Sequence, residues 1–314
     1  MIKVAVIGTG IIGREHLKAL KGSKELRLVA LCDANGDRAR AYGEEYGVPC
    51  FTNYKDIPEN TDAEAVIINL PHGLHLESTL FFLESGLDVF LEKPMANTVS
   101  ECQQMIEAQR KSKKHLAVGH IQRFFSANRF IKEYISSGRI GKLFSVNELR
   151  SINYFTPDRP AWFLDKKMSG GGIVMNYGAH ALDKLLYVTD EKIEEVYASC
   201  GNLLDGFDVE GHSQFLVKMS GGISATVTFS GYSSVGYETT YIGTNGAIKL
   251  SGGVVSACEN GKWQEVFSER DSGYILRELD EFAKLLKGEE NEMPDCEYAK
   301  QIISAIERIY ENLY

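Results

Sequence analysis

A short apolar strand that runs directly into three spaced glycines leaves a chain few folds to choose from. Here Val4-Ala5-Val6-Ile7 is followed by Gly8-Thr9-Gly10-Ile11-Ile12-Gly13, a G-x-G-x-x-G pattern, and then by a stretch with Leu17 and Leu20 at helical spacing. Strand, glycine loop and helix in that order open a dinucleotide-binding βαβ unit. Gly8 permits the tight turn, Gly10 lets the backbone approach a pyrophosphate, and Gly13 lets the helix pack closely on the strand. The free N–H groups of the first helical turn, at Ile11 and Ile12, are expected to bind the phosphates. Such a unit calls for an acidic residue at the end of the second strand, and Asp33 stands 20 residues after Gly13. Its carboxylate would accept hydrogen bonds from the adenosine ribose and repel a 2′-phosphate. NAD is therefore expected, with NADP less favoured. Arg38 falls inside the next helix and weakens that expectation only slightly.

The rhythm of the first third supports the same reading. Strands are expected at Lys3–Ile7, Leu28–Cys32, Ala65–Asn69, Val89–Leu91 and His115–Gly119, separated by helices near Ile11–Lys21, Asp37–Tyr46, Leu74–Ser85 and Val99–Ser112. Alternation of this kind gives a mostly parallel sheet covered by helices, and the unbroken apolar strands fit burial on both faces. After Gly119 the pattern changes. A helix near Ser126–Ser137 is followed by stretches of period two at Leu143–Arg150, Ile193–Gly201, His212–Lys218, Ile223–Gly231, Thr239–Ile242 and Ala247–Leu250, with turns at Gly221-Gly222 and Asn245-Gly246. Period two marks an antiparallel sheet with one buried face. Helices near Tyr274–Leu286 and Tyr298–Leu313 close the chain, the second starting at Pro294-Asp295. The expected α/β architecture is an N-terminal Rossmann domain over residues 1–120 and a C-terminal α+β domain over 121–314. The latter is built on a large open, predominantly antiparallel sheet, and the last helix is able to pack back on the first domain.

Charge narrows the partners. A net charge of −9 over 314 residues argues against nucleic acid and anionic membrane. No apolar run nears the roughly 20 residues of a membrane span, and a first strand beginning at Ile2 is expected to leave no room for a signal peptide. Six scattered cysteines without a C-x-x-C read as reduced thiols of a cytoplasmic protein. No Cys/His spacing fits zinc, and no metal site is expected.

Two further elements carry chemistry. Glu92-Lys93-Pro94 follows the strand Val89–Leu91, and the carboxyl ends of strands are where α/β sheets bind ligands. Gly170-Gly171-Gly172 opens a helix on which Asn176 and His180 stand four residues apart, spacing that shares one helical face. A histidine there can exchange a proton near neutral pH.

With these motifs in place the chain resembles the Gfo/Idh/MocA family of oxidoreductases along essentially its whole length. The glycine loop, Glu92-Lys93-Pro94 and the Gly170–Asp183 segment carry the resemblance, joined by Gly119…Arg123-Phe124, Gly138-Arg139-Ile140-Gly141 and Gly243-Thr244-Asn245-Gly246. The resemblance implies that Lys93 touches both the nicotinamide ribose and the substrate, and that His180 takes the proton from a substrate hydroxyl. Glu92 would help to fix the cofactor, and the Lys93-Pro94 bond could be cis. Leu70, Pro71 and His72 match a nucleotide-contacting loop. His72 and His75 are then cofactor-side residues rather than metal ligands, and Gln122 joins them. Asn176 replaces an aspartate common in relatives, so it can orient His180 but supplies no charge. The segment Ser151–Asp165 is the expected substrate wall, with Tyr154, Arg159 and Trp162 as contacts beside Lys93, Asn176 and His180. The implied activity is hydride transfer between NAD and a secondary alcohol of a sugar, cyclitol or related polyol, in a homodimer or homotetramer. Glycoside hydrolysis through transient oxidation by NAD, and a non-catalytic NAD- or sugar-sensing role, are the alternatives.

Overall fold

The computed structural model describes residues 1–268 and 272–311. The chain divides into two units, Met1–His120 with Ser272–Lys300, and Ile121–Asp271 with Gln301–Tyr314.

The first unit alternates strands and helices: β1 (Ile2–Ile7), α1 (Ile11–Gly22), β2 (Leu26–Cys32), α2 (Gly36–Tyr46), β3 (Cys50–Phe51), α3 (Ile57–Asn60), β4 (Ala65–Ile68), α4 (His75–Glu84), β5 (Asp88–Glu92), α5 (Val99–Ser112) and β6 (Leu116–Gly119). The strands form one parallel sheet in the order β3-β2-β1-β4-β5-β6. The order reverses between β1 and β4, the place where such sheets open a ligand crevice at their carboxyl ends. Gly8, Asp33, Asn69 and Lys93 follow β1, β2, β4 and β5 at that edge. Val4–Ile7, Ala65–Ile68 and Val89–Leu91 are completely buried, as strands covered on both faces must be.

The second unit begins with α6 (Ser126–Ser136) and β7 (Leu143–Ser151), then α7 (Lys166–Ser169) and α8 (Ala179–Thr189). Seven strands complete its sheet: β8 (Ile193–Gly201), β9 (His212–Met219), β10 (Ser224–Ser230), β11 (Gly236–Gly243), β12 (Gly246–Ser251), β13 (Val254–Glu259) and β14 (Lys262–Ser268). The order is β14-β13-β12-β11-β7-β10-β9-β8. The sheet is antiparallel except where β7 and β10 run parallel, from Ser145 opposite Ser224 to Ser151 opposite Ser230. Period two is obeyed: Ala225, Val227 and Phe229 are buried while Ser224 and Thr226 are exposed.

Two helices close the chain, α9 (Tyr274–Leu286) and α10 (Cys296–Tyr310). Within the first unit α9 buries Leu279, Phe282 and Ala283, with Phe282 edge-on to Phe90 at 5.4 Å between ring centres. Asp295 starts α10 as expected, its Oδ1 accepting from the Tyr298 amide at 2.7 Å. Leu313, the expected end of that helix, lies outside the described residues. The β11–β12 hairpin turns on Thr244 and Asn245, and Gly246 is already the first residue of β12.

Candidate active site

The glycine loop of the first unit is shaped by contacts that exclude side chains. Gly8 has φ +86°, and a Cβ there would come within 2.6 Å of the Asn69 carbonyl oxygen. A Cβ on Gly13 would collide with the Gly8 carbonyl. At Gly10 the same test meets nothing within 4 Å, so the loop is open where a ligand approaches. Helix α1 has no side-chain cap and no acidic residue in its first turn, so its leading N–H groups stay available to an anion. Ile11 is exposed there and Ile12 partly so. These features fit a dinucleotide.

Asp33 is buried behind this loop and heavily engaged. Its Oδ2 accepts from the Thr9 amide at 2.9 Å, the Thr9 hydroxyl at 2.8 Å and Arg38 Nε at 2.8 Å. Its Oδ1 accepts from the Asn35 amide at 2.9 Å and Arg38 Nη2 at 2.7 Å. Burial pushes the carboxyl up, but these donors, Arg38 first, outweigh it and hold Asp33 below the usual carboxylate range. Arg38, read from the sequence as weakening the NAD expectation only slightly, forks its guanidinium onto the specificity carboxylate.

Two of the anticipated cofactor ligands are braces. Glu92 ends β5 with Oε1 2.8 Å from His16 Nε2 and Oε2 accepting from the Lys93 amide at 3.2 Å. Burial raises its carboxyl, but the His16 hydrogen bond and the neighbouring charges leave it below its ordinary value. His16, fully buried on α1, escaped the sequence reading because a lone histidine in a helix carries no motif. His75 is also fully buried, with Nδ1 2.8 Å from the Pro94 carbonyl and Nε2 2.9 Å from the Leu70 carbonyl. Burial lowers its pKa. The buried His75 ring lies between the Leu70 and Pro94 carbonyls, its single N–H donating to one of them, and both nitrogens face the protein. His72 is buried beside it, ring centres 5.6 Å apart. Lys93 is half-buried, and the Lys93-Pro94 peptide is cis.

In the second unit the triple glycine does not open a regular helix. Val174–Gly178 form a π-helical turn, and α8 starts only at Ala179. The α-helical register expected for Asn176 and His180 is therefore interrupted between them, a distortion often found at functional sites. Glu210 holds the turn. Its carboxylate accepts from the amides of Gly172 and Val174, both at 2.8 Å, and from the Tyr310 hydroxyl at 3.0 Å. A side chain on Gly172 would strike the Glu210 carbonyl. Asn176 is buried, whereas His180 is half-exposed with Tyr177 6.3 Å away between ring centres.

The expected substrate wall needs correction. Tyr154 is completely buried, and burial pushes its phenol well above the ordinary value, with the Arg159 charge opposing. It cannot present a face to a substrate. Arg159 lies 4.0 Å over the Tyr154 ring and donates to the Tyr154 carbonyl, and Trp162 stacks on Phe163 at 3.8 Å. Gln122 is buried in the turn Ile121–Phe124, its Oε1 accepting from Asn128 at 3.2 Å, and Arg123 pairs with Asp183 at 3.3 Å. Sequence reading gave no weight to Arg150 on β7, which lies over both Tyr177 and Tyr237, or to Lys184 on α8, which donates to the Tyr237 hydroxyl.

One unit carries a parallel sheet with a dinucleotide loop, and the other an open, mostly antiparallel sheet with a histidine helix, the two-domain pattern of a dinucleotide-dependent fold. Residues 2–120 match the family model "Oxidoreductase family, NAD-binding Rossmann fold", and 128–249 match the GFO/IDH/MocA C-terminal domain. The chain belongs to this family. A 1-carboxy-3-chloro-3,4-dihydroxycyclohexa-1,5-diene dehydrogenase of Comamonas testosteroni is 29% identical over 74% of this chain and 58% of its own length. An inositol 2-dehydrogenase of Salmonella paratyphi B is 33% identical over 37% of this chain and 35% of its own. These matches span less than two thirds of either relative. The crystal structure of an aldose-aldose oxidoreductase from Caulobacter crescentus, complexed with glycerol, superposes with TM-score 0.90 at 24% identity, covering 99% of this chain and 97% of that one.

Proposed function

We propose that this protein is an NAD-dependent oxidoreductase that transfers a hydride between a secondary alcohol of a sugar, cyclitol or related polyol and the nicotinamide. The observation that carries the reading is the open glycine cradle of the first unit; the half-exposed His180, which follows a π turn in the second, supports it. Named relatives that act on cyclic polyols support it. The leading N–H groups of α1 bind the pyrophosphate, and Asp33 orders the loop behind it. When bound, NAD supplies the hydride acceptor. His180 accepts the proton from the substrate hydroxyl as the carbonyl forms. Lys93 orients that hydroxyl, and its ammonium stabilises negative charge growing on the oxygen. Asn176 positions the substrate without adding charge. The Ser/Thr face of the second sheet is the surface we assign to subunit contact.

The test is NADH formation at 340 nm across a panel of sugars, sugar acids and cyclitols. Turnover that falls at least about 100-fold in His180→Ala, with NAD affinity retained, is the expected result. No turnover anywhere in the panel, or full activity in His180→Ala, overturns the reading.

A further inference from the structure

Strand β7 carries two charged side chains, Glu148 and Arg150, on its buried face. Glu148 is matched. Its Oε2 meets Lys184 Nζ at 2.6 Å with neither side chain exposed, and the same ammonium donates to the Tyr237 and Thr239 hydroxyls, both at 2.6 Å. Arg150 is not matched in the same way. Its Cζ lies 4.9 Å from the centre of the Tyr177 ring and 4.3 Å from that of Tyr237, so the guanidinium is held between two aromatic rings. The Tyr237 hydroxyl is its polar neighbour, and among the described residues no carboxylate comes within ion-pair distance. Glu148, Lys184 and Arg150 together thus bury one negative and two positive charges. An isolated buried cation is costly unless something anionic or strongly polar completes it. Arg150 is 9% exposed, so the slot is not completely sealed. Tyr177, one wall of this guanidinium slot, is also the ring beside His180.

We propose that Arg150 binds a carboxylate of the substrate, so that the enzyme acts on a sugar acid or carboxylated cyclitol rather than a neutral polyol. This rests on the assignment of His180 to the substrate site. A planar guanidinium fork matches a carboxylate in two parallel hydrogen bonds. The excess of one positive charge suits a monoanion. A phosphate dianion would call for a second free cation, and Lys184 is already committed to Glu148. The Tyr177 and Tyr237 rings hold the guanidinium in place.

Calorimetry on the 314-residue chain loaded with NADH tests this with matched probes: D-glucuronate against D-glucose, D-galacturonate against D-galactose, quinate against myo-inositol, and glucose 6-phosphate. In at least one pair the acid is expected to bind about 10–100-fold more tightly than its neutral partner. Arg150→Met is expected to remove that ratio and Arg150→Lys to reduce it about tenfold. Should Arg150→Met fail to fold, Arg150→Lys carries the test, since it keeps the charge and loses the fork. Equal binding within every pair, binding of no acid, tighter binding of the phosphate, or an unchanged ratio in Arg150→Lys overturns the proposal. Acid binding that depends on Arg150 but never yields an oxidised product counts against the dehydrogenase reading and leaves Arg150 in place. Equal turnover of acidic and neutral partners does the reverse.

Discussion

Asp33 shares its carboxylate between Thr9 of the glycine loop and the Arg38 guanidinium. Its position was legible because a glycine loop demands an acid at the end of the second strand. Its state was not, because the fork from Arg38 depends on where the first turn of α2 points after Asn35 caps the helix. With Arg38 on it, the carboxylate is half-neutralised and repels a 2′-phosphate less. Arg38→Ala is therefore expected to raise the preference for NADH over NADPH about tenfold, read by fluorescence titration of both cofactors. An unchanged ratio would show that Arg38 is a bystander. The pH dependence has a definite sign. Asp33 is held below its ordinary value, so the stability it contributes is present above the unfolded pKa near ~3.9 and is lost as pH falls through the lowered folded value. Removing Arg38 moves that loss to higher pH, which acid unfolding curves of the two proteins will register.

The π turn at Val174–Gly178 is the element on which the proposed chemistry depends, and nothing in Gly170–Gly172 announces it. The glycines announce only close approach, and the partner that approaches, Glu210, lies far along the chain. Strands β13 and β14 were missed for a related reason. Val254–Glu259 and Lys262–Ser268 lack a clean apolar alternation, and β14, at the sheet edge, is largely exposed. The parallel pairing of β7 with β10 is likewise set by distant partners and not by either strand's own pattern. Glu210 is expected to be structurally decisive. Burial pushes its carboxyl up, and the donors at Gly172, Val174 and Tyr310 pull it back only in part. Glu210→Ala would leave two buried amides without acceptors, a cost of about 2–4 kcal/mol. Urea unfolding should show that loss, and kcat should fall more than KM rises if the turn sets the placement of His180. A variant as stable and active as the parent would mean the turn holds without Glu210.

At the scale of the molecule, the first unit does not end where its dinucleotide pattern ends. The βαβ rhythm stops at Gly119, and a reader of sequence cuts there. Yet Ser272–Lys300 belongs to the same unit, and α9 is its return. The amphipathic face of Tyr274–Leu286 was visible in the sequence, but the surface it covers was not, because amphipathicity names no partner. Phe282 meets Phe90 of β5, and Leu276 lies beside Gly22 at the end of α1. Leu279 and Phe282 are completely buried and Ile275 nearly so. Full burial of such side chains is worth about 1.5–3 kcal/mol each, so the three together rival the roughly 5–15 kcal/mol that holds a whole domain. A fragment of residues 1–120 should accordingly be unfolded or aggregated, with no NADH binding. Joining 272–300 to it through a flexible linker should restore cooperative melting and NADH affinity within about tenfold of the full chain. A stable, NADH-binding 1–120 fragment would show that α9 rests on this unit without supporting it.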